Sequence, residues 1–155
     1  TEMVTGVDLI KQQIMVHAGN PCPESKNLRL EGHSIECRIN AEDPSNNFLP
    51  FPAKITNFHM PGGKGVRVDS HAYAGYEIPS QYDSMIGKII VHAKNRDRAI
   101  IRMQRALEET IIDGPRTTIP YQMEIMKDLK FKSGKFDTSF LENFKYDQEK
   151  DKEKE

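Results

Sequence analysis

The stretch HSIECRIN at residues 33–40 alternates strictly between apolar and polar side chains. Successive side chains of a β-strand leave on opposite faces, so the pattern predicts a half-buried strand. Ile35, Cys37 and Ile39, with His33, would face a core, while Ser34, Glu36, Arg38 and Asn40 would face away. Downstream, residues 41–53 hold Pro44, Pro50 and Pro52 and predict an irregular loop. Residues 54–60 predict a second strand, PGGKG at 61–65 a hairpin turn, and 66–70 a short third strand. The Ile- and Val-rich segment 85–93 predicts a buried strand.

A helical period then takes over. Over residues 95–111, Asn95 can cap the first turn, Asp97 suits the positive end of the dipole, and Ala99, Ile100, Met103, Ala106, Leu107 and Ile111 form one apolar stripe. Asp113, Gly114 and Pro115 stop it. A second helix is expected over residues 119–129, with Ile119, Met123 and Met126 inward. Upstream, Ile10, Ile14 and His17 predict a helix over residues 7–18, ended by Gly19. Residues 20–27 carry two prolines and form the candidate boundary to a compact unit, while residues 145–155 are almost all charged and read as a disordered tail or frayed helix. Strands gathered first and helices later argue for α+β: a small antiparallel sheet with packed helices.

Composition bounds the function. With 155 residues, 37% hydrophobic and 29% charged, the chain can bury a core without disulfide or metal. A net charge of −1 excludes the basic surplus that phosphate contacts need, so no nucleic-acid partner is expected. No apolar run approaches the ~20 residues of a membrane span, and residues 1–20 lack a secretory signal pattern. A cytoplasmic protein with two reduced thiols, Cys22 and Cys37, is the expectation. The non-Met start, running almost at once into a helical pattern, is read as a cut from a longer chain.

Three sets of residues could carry chemistry. Glu36 and Arg38 lie two apart on the polar strand face, where a carboxylate can orient a guanidinium toward an anionic oxygen; the plainer reading is a solvated ion pair. Tyr82 and Asp83, just before the buried strand, either line a cleft or make a turn in which Asp83 caps an amide. The GGKG at residues 62–65 lacks the spacing of a phosphate loop. The five histidines and two cysteines form no metal signature, and no G-x-S-x-G elbow is present.

The wording of several segments goes further. TEMVTGVDLIKQQ at 1–13, GHSIECRINAEDP at 32–44, HAYAGY at 71–76, YDSMIGKII at 82–90, NRD at 95–97 and IDG at 112–114 resemble, in order, the C-terminal part of bacterial-type biotin carboxylases. The resemblance covers about residues 1–141, and the 82–88 wording is closer to the acetyl-CoA carboxylase type than to the pyruvate or propionyl-CoA types.

The resemblance implies a division into residues 1–27 as the helical end of an ATP-grasp domain, 28–144 as the biotin carboxylase C-terminal domain, and 145–155 as a tail. It implies ATP- and bicarbonate-dependent carboxylation of biotin at N1. Arg38 would be the catalytic and biotin-binding residue, at the ureido oxygen, with Glu36 as an orienting neighbour and Tyr82 and Asp83 in the same pocket. Arg67 would lie near a homodimer interface, although Lys64 stands where an aromatic residue is usual. ATP and Mg2+ would be bound by an ATP-grasp domain upstream of Thr1, leaving this chain inactive by itself. Biotin carboxyl carrier protein and carboxyltransferase subunits would be the partners.

Overall fold

The computed structural model describes residues 1–22 and 28–146. Two helices lead: α1 (Glu2–Thr5) and α2 (Leu9–His17). The strand read from residues 33–40 forms as β1 (His33–Asn40), followed by the two-residue strands β2 (Glu42–Asp43) and β3 (Leu49–Pro50). Then come β4 (Asn57–His59), β5 (Val66–Ser70), β6 (Met85–Ala93), α3 (Arg96–Glu109), β7 (Ile111–Asp113), α4 (Ile119–Lys127), α5 (Leu129–Ser133) and α6 (Phe140–Asn143).

The main sheet is antiparallel in the order β1-β6-β5. Cys37 lies opposite Ile89, and Val68 lies opposite Ile89 on its other side. Ile35, Cys37, Ile39, Ile89 and Val91 therefore share one face, where α3 and α4 cover them with Ile100, Met103, Leu107, Ile125 and Met126. Met103 and Leu107 are fully buried; each such side chain contributes about 1.5–3 kcal/mol relative to exposure. β6 is buried on both sides: Ile86 joins a second, smaller core with Ala41, Ile55 and Ile78. That is why its sequence reads as an apolar run rather than an alternation.

Several expectations need correction. The strand expected over residues 54–60 is confined to Asn57–His59, and Lys54 makes only an isolated bridge to Glu77. Residues 61–65 are not a hairpin turn: β4 pairs with β7 and β5 with β6, so this segment crosses from one sheet to another. Gly63 and Gly65 adopt φ of +94° and +76° there, which glycine tolerates. Ile111 is not on the helix stripe, because α3 ends at Glu109, Thr110 caps it in an extended conformation, and Ile111 opens β7, where it is exposed. At that helix end the Thr110 hydroxyl donates to the Ala106 carbonyl at 2.7 Å. The loop at 41–53 contains β2, β3 and a short 3-10 helix at Pro44–Asn46. The leading helix starts at Leu9, where Asp8 accepts from the Lys11 N–H at 2.9 Å, and α1 precedes it. α2 buries none of its residues. Most of the boundary segment 20–27 and of the charged tail 145–155 lies outside the described residues. Cys22 and Cys37 are free thiols, the first exposed and the second buried.

Candidate functional site

Alternation puts Glu36 and Arg38 on the face of β1 opposite the core, and pairing places Lys88 across from Arg38 and Ile90 across from Glu36. On the far side β5 adds Arg67 and Asp69. The Nε of Arg38 faces Glu36 Oε1 at 3.5 Å, with the side chains 71% and 41% exposed. At that exposure the pair contributes about 0–1 kcal/mol. Beyond Nε, the Arg38 guanidinium has no partner among the described residues. A register shift between Ile39 and Asn40 ends the regular pairing beside it, as a bulge does where a strand must re-aim its side chains.

Arg67 is differently placed. Its guanidinium donates to Asp69 at 2.8 and 3.0 Å and to Glu2 of α1 at 2.5 Å. These bonds pull the carboxyls of Asp69 and Glu2 below the usual range and raise Arg67. A hollow of about 380 Å³ lies between α1 and the sheet, bordered by Glu2, Glu36, Arg67, Asp69 and Lys88. Lys88 Nζ reaches only 3.7 Å from Asp69.

Tyr82 and Asp83 do not share this hollow. Tyr82 is 81% exposed; with Asp83, His71, Tyr76 and Pro79 it borders a separate hollow of about 390 Å³. Asp83 Oδ1 accepts from the Met85 N–H at 2.8 Å, which is the turn-capping role. Neither Arg38 nor Glu36 borders that hollow. The structure thus brings Glu36 and Arg38 together and keeps Tyr82 and Asp83 in a different depression of this chain.

Sequence reasoning missed Lys88, Asp69, Glu42 and Thr118. Glu42 accepts from the Ser84 hydroxyl at 2.5 Å and from Asn40 Nδ2 at 3.0 Å, tying β2 to the start of β6. The Thr118 hydroxyl donates to the Arg38 carbonyl and accepts from the Asn40 N–H, both at 3.1 Å. A lone cation inside the apolar run of β6 was a readable signal for Lys88; the others depend on distant pairing. Among the described residues no three His, Cys, Asp or Glu side chains converge to hold a metal. No helix among them is long and apolar enough to cross a membrane.

A sheet with this order, flanked by helices on one face and carrying an arginine-bearing polar face on the other, has close counterparts. Residues 36–143 match the biotin carboxylase C-terminal domain family, and the chain belongs to that family. Biotin carboxylase 1 of Bacillus subtilis is 54% identical over 145 residues, 93% of this chain and 32% of that protein. A pyruvate carboxylase subunit of Methanothermobacter thermautotrophicus is 51% identical over 146 residues, 94% of this chain and 30% of that one. The biotin carboxylase domain dimer of Hydrogenobacter thermophilus 2-oxoglutarate carboxylase, solved with Mg-ADP, ADP and bicarbonate, superposes with a TM-score of 0.88 at 46% identity. It is covered to 33%, against 94% of this chain. The chain thus spans about a third of the length of the relatives it matches.

Proposed function

We propose that this chain is the C-terminal domain of the biotin carboxylase component of a bacterial-type acetyl-CoA carboxylase, a cytoplasmic ligase acting in the first step of fatty acid synthesis. The carrying observation is Arg38: an always-charged fork on a rigid strand, held at Nε by Glu36 and with its remaining donors open. Such donors stabilise negative charge where it develops on an oxygen. Biotin, presented by a carrier protein, supplies the ureido group whose N1 is carboxylated. Arg38 holds the ureido oxygen, and Glu36 orients the guanidinium.

Tyr82 and Asp83 contribute to biotin binding from the neighbouring depression, which requires a substrate or further protein that spans the two. ATP and Mg2+ are assigned to an ATP-grasp domain of the same parent, since transferring a phosphoryl group needs metal and cationic clamps. By itself this chain carries out neither ATP hydrolysis nor carboxylation; bicarbonate-dependent turnover by the purified chain would contradict this. Arg67 and its neighbours lie near a homodimer contact in the parent. Carboxyltransferase subunits complete the system.

The test is Arg38→Ala in the full-length parent. Biotin carboxylation should fall by about two orders of magnitude, the scale for one lost oxyanion donor; unchanged turnover would remove Arg38 from its role. The 51% identity to a pyruvate carboxylase component supports a second reading, in which the same half-reaction serves pyruvate. Assaying the parent with carboxyltransferases of each kind separates the two.

A further inference from the structure

β1 is an edge strand: β6 pairs with it on one side, and among the described residues no strand lies on the other. Which of its main-chain groups face the open side follows from three hydrogen bonds. Asn40 donates its N–H to Thr118, and the Arg38 carbonyl accepts from the same hydroxyl. On the neighbouring strand, His92 N–H bonds to Gly65 on the β5 side. Odd-numbered residues of β6 therefore point at β1 and bond His33, Ile35 and Cys37. Even-numbered residues of β1 point outward. Thr118 satisfies this edge at the Arg38 carbonyl and at both main-chain groups of Asn40, but among the described residues nothing pairs with the Arg38 N–H or with the main chain of Ser34 or Glu36.

Beside that gap lies a hollow of about 390 Å³ that touches Ile35, Glu36 and Cys37 in succession. A hollow meeting three consecutive strand residues must run along the strand's edge, because their side chains leave on alternate faces. Its far wall is apolar: Phe131, Phe136, Phe140 and Leu141, with Ile125 and Met126 beneath. The wall is braced by its own contacts. Phe131 and Phe136 stack at 5.1 Å, and Arg96 sits over both rings while donating to the Phe131 carbonyl at 2.5 Å. Glu36, which also faces Arg38 Nε at 3.5 Å, and Asp137 are the charged residues of the lining, with Gln122 and Thr138 beside them. Bonds from Ser139 hold the Asp137 carboxyl below its ordinary range, so it is charged.

We infer that this edge is a docking site for a short extended peptide of a partner protein, which adds a strand at Ser34 and Glu36, buries an apolar side chain against the phenylalanines, and carries lysine or arginine on either side. Paired main-chain donors and acceptors select an extended chain, the hollow selects an apolar side chain, and the two acids select basic neighbours. With only Ser34, Glu36 and the Arg38 N–H open, the edge is too short for a stable pairing with β1 of a second copy.

The probe is an acetylated, amidated peptide of alternating lysine and leucine, with an otherwise identical peptide N-methylated along one edge as control. Added to the 155-residue chain, it should slow amide exchange at Ser34 and Glu36 by about tenfold or more, while Ile35 and Cys37, already bonded to β6, stay unchanged. Leu141→Asp, at a position 54% exposed, should abolish the effect, and Leu129→Asp, 81% exposed and outside the hollow, should leave it intact. The N-methylated peptide should not protect. Binding that leaves the two amides exchanging freely would overturn the inference. So would protection before any peptide is added, rising with chain concentration, which would assign the edge to a second copy.

Discussion

Replacing Thr118 by Val keeps the branched shape and removes one hydroxyl, so it isolates what fastens α4 to the edge of β1. Thr118 is 4% exposed. Its hydroxyl serves both the Arg38 carbonyl and the Asn40 N–H, and its own N–H donates to the Asn40 carbonyl at 3.1 Å. Only the hydroxyl bonds are lost in the variant. A stranded buried polar group costs about 1–3 kcal/mol. The Arg38 carbonyl lies at the edge of the sheet, and an under-satisfied carbonyl is better tolerated than an orphaned N–H, so the two groups together should cost about 2–3 kcal/mol. For a domain of this size that lowers Tm by about 4–12 °C. Thermal and urea unfolding followed by circular dichroism would measure it, with amide exchange at Asn40 as the local readout. Thr118→Ser, which keeps both bonds, should lose no more than about 1 kcal/mol. A Val variant within about 0.5 kcal/mol of the parent chain, with Asn40 still protected, would refute the claim that this hydroxyl closes the edge.

Other outcomes follow from the same structure. Gly114 has φ +113° and a Cβ there would fall on the Lys54 carbonyl, whereas Gly75 at φ +97° has open space. Gly75→Ala should therefore cost about 1–2 kcal/mol for the backbone alone, and Gly114→Ala clearly more, by chemical unfolding. Burial pushes the Cys37 thiol up to about 12 from 9.0. The unfolded chain thus loses a proton above pH 9 that the folded chain keeps, and stability should fall as pH rises from about 9 toward 12. At pH 8 a thiol reagent should modify Cys22 in the native chain and Cys37 only after denaturation; equal rates would contradict its burial. Asp69→Asn removes the anion shared by Arg67 and Lys88. At these exposures it should cost under about 1 kcal/mol, less still in high salt.

What could be read from the residues alone was what depends on local period. The alternation of residues 33–40 identified β1 and its inward set, and Asn95 does cap α3, accepting from the Arg98 N–H at 3.0 Å. β5 and β6 fall where their apolar content placed them. Pairing was not legible, because it is settled by contacts far apart in sequence. β4 meets β7 rather than β5, so a glycine-rich segment that looks like a hairpin turn links two sheets. Ile111 continues the period of α3 on paper, yet its main chain bonds to β4. The short α5 and α6 were missed because their anchor is an aromatic cluster of Phe131, Phe136, Phe140 and Phe144 that has no helical period. In the site, Glu36 and Arg38 share a face because two-residue spacing requires it. The separation of Tyr82 from Arg38 depends on how the chain enters β6, where Asp83 turns inward on the Met85 amide.

The nine residues of α2 bury nothing, and Ile10 and Ile14 stand 63% and 64% exposed. An isolated helix of that length is marginal in water, so its opening is cheap while the sheet stays closed. Trypsin acting on the native chain should find Lys11 long before Lys88, whose strand is paired on both sides. A brief digestion should therefore cut within α2 and leave the paired strands β1, β6 and β5 intact.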